Sequence, residues 1–193
     1  MTRDTALALL ARHSHGAVWA KHCLAVAEAA ARLGHALDGH RVIDHEFLWT
    51  AALLHDIGRH VTHDPIGHGA EGYRLLTGLG HGREANVCAS HVLFGLEAAE
   101  AELFGLPARD FIPQTVEERL VALADLLLEY DAPTTLDHRF ASLRARNAGN
   151  AFFLGRLGRA RARAAAFLQQ LDEEIGRPVL GILTDEMPGC GKA

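Results

Sequence analysis

Apolar positions recur along this chain with the period of helices, and the period-two alternation of β-branched residues is almost absent. Across residues 17–33, Val18, His22, Val26, Ala29 and Leu33 share one face, Lys21, Glu28 and Arg32 share another, and Gly34 supplies a stop. A second helix is predicted from Asp44, a side chain suited to capping, through the apolar run 47–54 to a stop at Gly58. Shorter helices follow over 68–79 and 84–91, separated by the turn-prone Gly78, Gly80 and Gly82. Thr115 and Glu118 form a capping box, after which Val116, Leu120, Leu123, Ala124, Leu127 and Leu128 make an apolar stripe. A basic, alanine-rich region after Pro133 carries a long helix over 152–175. The expected fold is all-α. It is a single-domain helical bundle over residues 1–177, followed by a tail, 178–193, whose apolar run 179–183 packs on the body or on a partner.

Composition narrows the classes. A chain of 193 residues, 49% hydrophobic and 22% charged, can bury a full core. Lys and Arg number 19 against 24 acids, a net −5, which argues against a general nucleic-acid binder. No apolar run approaches the ~20 residues needed to span a bilayer. The N-terminus lacks a signal-peptide cleavage pattern, so a cytoplasmic protein without membrane association is expected. Cys23, Cys88 and Cys190, odd in number and unrelated in spacing, build no disulfide framework. The Gly-Cys-Gly-Lys ending over 189–192 lacks the glycine spacing and following helix of a phosphate loop. The unusual feature is 13 histidines, the commonest metal ligands.

Three of the candidate positions break the ordinary rules of burial. Asp125 shares an apolar face with Val121 and Leu128, and a carboxylate there needs a cation, either an arginine or a metal. His22 lies on the apolar stripe of its helix, and His91 shares a face with Val87 and Cys88; each taken singly is also read as a satisfied core histidine. His55-Asp56 closes an apolar helix just before Gly58, where unpaired carbonyls favour a cation. The dipeptide alone is weak, since His63-Asp64 repeats it.

The order His22, His55-Asp56, Asp125 resembles the H…HD…D pattern of the HD-domain metal-dependent phosphohydrolases, and His55-Asp56-Ile57-Gly58 resembles the signature of their HDIG subgroup. The resemblance covers roughly residues 15–175 and implies two divalent metal ions, of Fe, Mn or Zn. The implied metal ligands are His22, His55, Asp56, His68, His91 and Asp125, with Asp56 bridging. His63 competes with His68 for its place. The implied activity is hydrolysis of a phosphoester or phosphoanhydride in a nucleotide or small phosphorylated metabolite by a metal-activated water. Asp56 and Arg59 carry the catalytic roles, Asp56 orienting the nucleophile and Arg59 gripping phosphate; Arg59 is equally readable as a helix-terminal cation. Relatives that act as nucleoside monophosphate phosphatases place an acid shortly after the HD pair. Here Arg59, His60, Val61 and Thr62 stand instead, which leaves the substrate open.

Two other readings keep the same residues: a di-iron oxygenase on an HD scaffold, and a helical signalling module without catalysis. Arg144, Arg146, Arg156, Arg159, Arg161 and Arg163 read as a solvated helix face rather than a nucleic-acid patch, and Glu97, Glu100 and Glu102 as surface acids. A homodimer through the C-terminal helix is compatible with the pattern.

Overall fold

Side-chain caps set the starts of the helices. In the computed structural model, which describes residues 1–185, Thr2, Asp44, Thr115, Thr135 and Asn150 each accept a hydrogen bond from a first-turn backbone N–H. They open α1 (Arg3–Ser14), α3 (His45–Leu54), α7 (Val116–Leu126), α8 (Leu136–Arg146) and α9 (Ala151–Ile175). The predicted capping box is present in full, with Glu118 returning a bond to Thr115 N–H. The remaining helices are α2 (Trp19–Ala36), α4 (Gly67–Gly78), α5 (Gly82–His91), α6 (Ala98–Leu103) and α10 (Val179–Thr184). 3₁₀ turns follow α3 and α5, at Ile57–His60 and Val92–Phe94. Among the described residues the fold is all-α apart from one antiparallel hairpin, β1 (Leu128–Glu129) with β2 (Ala132–Pro133), and two isolated bridges, Asp38 with Arg41 and Leu96 with Phe111.

α3 is the centre of the bundle. Every residue from Phe47 to Leu54 is buried, as an all-round apolar helix must be, and α2, α5 and α7 pack around it. α9 presents Phe153, Leu157, Ala160, Ala164, Phe167 and Leu171 to the core at helical spacing. α10 packs against α2 and α9 through Val179, Ile182 and Leu183, and Arg32 donates to the carbonyls of Leu183 and Asp185. Cys190 and the 189–192 segment lie outside the described residues.

The structure corrects several sequence expectations. Gly34 does not stop α2, which runs on to Ala36; a Cβ there would stand 2.6 Å from Leu48 Cδ2, so the glycine permits α3 to approach. Gly58 likewise lies inside the 3₁₀ turn, where a Cβ would stand 1.9 Å from the His68 carbonyl oxygen. Both glycines serve close packing. Val18 is 77% exposed rather than part of the core stripe. The stripe through Leu128 leaves the helix after Leu126, because β1 begins there.

Arg156 is buried, bonding the Gly95 carbonyl and pairing with Glu100. Arg159 pairs with Glu97 and Glu100, and Arg163 with Glu97. These arginines clamp α9 onto α6 instead of forming one solvated face.

Candidate metal centre

Four histidines reach one place from four helical ends, each held in the same way. His22 Nδ1 meets the Tyr130 carbonyl, His55 Nδ1 the Ala52 carbonyl at 2.7 Å, His68 Nδ1 the Asp64 carbonyl at 2.8 Å, and His91 Nδ1 the Val87 carbonyl at 3.3 Å. A carbonyl oxygen only accepts, so each Nδ1 carries a proton and each ring turns its Nε2 toward the centre. Those four nitrogens face two carboxylates. His22 Nε2 lies 3.0 Å from Asp125 Oδ1, and His55 Nε2 lies 4.0 Å from the same oxygen. His68 and His91 Nε2 lie 2.9 and 3.5 Å from Asp56 Oδ1, and 3.4 Å from each other. His55 Nε2 is 3.7 Å from Asp56 Oδ2.

His55 Nε2 and Asp56 Oδ1 are buried without a hydrogen-bond partner, a costly arrangement unless a cation joins them. His22, His55 and Asp125 each offer an atom within 4.8 Å of the others, as do His55, Asp56 and His91. Imidazole nitrogens with carboxylate oxygens suit Zn²⁺, Mn²⁺ or Fe²⁺, and a second ring nitrogen donating to a carbonyl is the usual support of a metal-binding histidine. The residues present fit a divalent metal.

Electrostatics point the same way. Burial pushes His55 down to about 4, so the ring is neutral at physiological pH. Burial alone would raise Asp56, but His55, His68 and Arg59 hold its carboxyl well below the usual range. Asp125 is also depressed: burial opposes its charge, and His22 and Arg139 outweigh that. His22 is raised, because its contact with Asp125 overcomes the effect of burial. Burial pushes the thiols of Cys23 and Cys88 up, so neither supplies a thiolate.

All six sequence-derived ligand candidates thus converge. Arg59 stands beside them with Nε on Asp56 Oδ2 and lines the two cavities that open onto the centre. His63 is exposed on the rim of both, away from the carboxylates, whereas His68 is buried against Asp56. A separate trio, His35, Asp38 and His45, lies at the far end of α2 with its two rings stacked 4.4 Å apart.

Two residues at the centre were not among the sequence candidates. Arg139, buried on α8, places Nη2 3.4 Å from Asp125 Oδ1 and Nη1 3.2 Å from Glu129 Oε2. Its signal was available: Leu136, Arg139, Phe140 and Leu143 recur at helical spacing, which puts an arginine on an apolar face. Tyr130, in the loop between β1 and β2, has φ 61°, a left-handed conformation that costs a non-glycine residue on the order of 1 kcal/mol. No sequence signal marks it.

Comparison with known proteins agrees with this geometry. An uncharacterized protein of Methanocaldococcus jannaschii is 42% identical over 111 residues, 56% of this chain and 64% of that protein. Proteins named tRNA (cytidine(56)-2'-O)-methyltransferase from Picrophilus torridus and Thermoplasma volcanium are 37% and 36% identical over 89 residues, 46% of this chain and 26% of each. The chain spans less than two thirds of the length of each of these relatives. No solved structure matches significantly. The HD domain family model matches residues 19–129, a span that opens just before His22 and closes just after Asp125. With that span covering more than half of its length, the chain belongs to the HD domain family.

Proposed function

We propose that the protein is a metal-dependent phosphohydrolase acting on a small phosphorylated substrate, with two divalent ions held by His22, His55, Asp56, His68, His91 and Asp125. One observation carries this reading: four Nε2 atoms and two carboxylates converge, with His55 Nε2 and Asp56 Oδ1 buried and without a hydrogen-bond partner, beside a rim of cations. HD proteins are generally metal-dependent hydrolases, which supports it. Bound there, the ions supply Lewis acidity and an activated water. Asp56 lies between the two groups of histidines and orients the attacking oxygen. Its carboxyl, held well below the usual range and so ionised, suits that task better than carrying a proton. Arg59 and Arg146 line the cavity above and receive phosphoryl oxygens, which a guanidinium fork matches well. Methyl transfer is not carried over from the two named relatives, because the shared segment covers only 26% of each.

The test is phosphate release from a panel of nucleotides and sugar phosphates by protein loaded with Mn²⁺ or Fe²⁺, together with elemental analysis of protein purified without added metal. Turnover that His55→Ala and Asp56→Ala abolish is the expected result. A fully metal-loaded protein that releases phosphate from none of them overturns the reading.

A further inference from the structure

A histidine cluster lies apart from the centre, where α2 turns into α3. His35 stands in the last turn of α2, Asp38 in the loop that follows, and His45 at the first position of α3. Helical rise puts this joint about 20 Å along α2 from His22 and about 15 Å along α3 from His55. The trio shares no residue with the metal centre.

The loop turns tightly, with Gly39 in the left-handed region at φ 89° and Asp38 bridged to Arg41. It carries the Asp38 carboxylate back to two imidazoles. His45 Nε2 lies 2.8 Å from Asp38 Oδ1, and His35 Nδ1 lies 3.2 Å from Asp38 Oδ2. The two rings stack with centroids 4.4 Å apart and planes 22° from parallel. Each of the three residues offers one ligand atom within 4.8 Å of the others. Donors held ~2.0–2.2 Å from a tetrahedral Zn²⁺ stand about 3.3 Å from one another, so small shifts of exposed side chains close the trio on an ion.

The surroundings favour a cation here. Among the described residues Asp38 pairs with no lysine or arginine, only with the two rings. Two imidazolium rings stacked this closely would repel, whereas neutral rings sharing one ion with a carboxylate do not. Two nitrogens and one oxygen suit Zn²⁺, while Mg²⁺ and Ca²⁺ require oxygen donors. One feature limits the affinity. His45 Nδ1 is buried without a hydrogen-bond partner, and coordination through Nε2 places the ring's proton there. Three ligands with that penalty correspond to a Kd on the order of 10 μM.

We propose that His35, Asp38 and His45 form a separate surface site for Zn²⁺, with water in the fourth position, which ties the end of α2 to the start of α3. The site is independent of the chemistry at the centre and stands whether or not the protein hydrolyses phosphate.

The test is modification of the full chain by diethylpyrocarbonate, followed at each histidine by mass spectrometry, since a bound ion shields its own ligands. With a Kd of about 10 μM, about 100 μM Zn²⁺ should slow the reaction of His35 roughly tenfold. The same concentration of Mg²⁺ should leave it unchanged. His40, exposed in the same loop and outside the trio, should react equally with and without Zn²⁺. Asp38→Asn still hydrogen-bonds to the rings but lacks the anionic donor; it should abolish the protection and lower the zinc content by about one equivalent per chain. The metal centre is intact in that variant, so Zn²⁺ bound there cannot account for the difference. No protection of His35, protection that survives Asp38→Asn, or equal protection of His35 and His40 overturns the proposal.

Discussion

Asp125 Oδ1 is approached from two sides of the fold: Arg139 Nη2 lies 3.4 Å away and His22 Nε2 3.0 Å away. The sequence left two partners open for Asp125, an arginine or a metal; Arg139 supplies the first, and the second is part of the proposed function. Arg139, His22 and His55 all approach the same carboxylate oxygen.

Replacing this arginine should separate the two contributions. Arg139→Gln removes a buried charge that serves Asp125 and Glu129 together, and should destabilise the metal-free protein by about 1–3 kcal/mol. With saturating Mn²⁺ the penalty should shrink, because an ion then compensates Asp125. Thermal melts with chelator and with Mn²⁺ check this. An equal penalty in both conditions would mean that no ion reaches Asp125.

The competition between His68 and His63 resolves by counting metal. His68 Nε2 lies against Asp56 and is buried, whereas His63 sits exposed on the rim. His68→Ala should lower the metal content per chain, and His63→Ala should leave it unchanged, as read by elemental analysis after dialysis. The opposite result would exchange the two assignments.

Much of this centre was legible because burial rules are strict. An acid at Asp125 and an imidazole at His22 on apolar faces each demand a partner, and their order along the chain matched a known pattern. The capping box at Thr115 was equally readable, because its bonds are local. What the chain concealed depends on contacts between distant segments. Gly34 and Gly58 look like helix stops, since a glycine at a terminus and a glycine under a crossing helix are the same letter. Tyr130 shows no signal, because its left-handed backbone arises from a hairpin too short to leave an alternating pattern. Arg156 resembled its exposed neighbours until α6 supplied Glu100.

Gly58→Ala tests the close approach directly. The added methyl would stand 1.9 Å from the His68 carbonyl oxygen and 2.4 Å from Gly72 N, both backbone atoms that cannot swing aside. α4 must then move, taking His68 with it. A stability loss of about 3 kcal/mol or more is expected, together with lower metal content. Gly34→Ala should cost less, because the atom it meets is the tip of the Leu48 side chain. Urea denaturation of both variants supplies the comparison, and equal losses would refute the distinction.

Acid should unfold the metal-free protein early, and the sign follows from which state holds the proton. His55 titrates near 4 when folded against 6.5 when exposed, so between those values the unfolded chain binds more protons. Stability therefore rises with pH across that window, by on the order of 3 kcal/mol in full. Asp56 and Asp125, both depressed, add to the loss at still lower pH, since their stabilisation exists only while they are ionised. His22 acts in the opposite sense: its raised value contributes stability below 6.5 that is lost as pH rises through its folded value. Urea midpoints in chelator should consequently fall steeply from pH 6.5 toward 4, with a gentler decline on the alkaline side. His55→Asn should flatten the acid limb by removing the ring that must stay neutral. A wild-type profile flat between pH 6.5 and 4 would show that His55 is not held as the bare, unprotonated ligand that the centre requires.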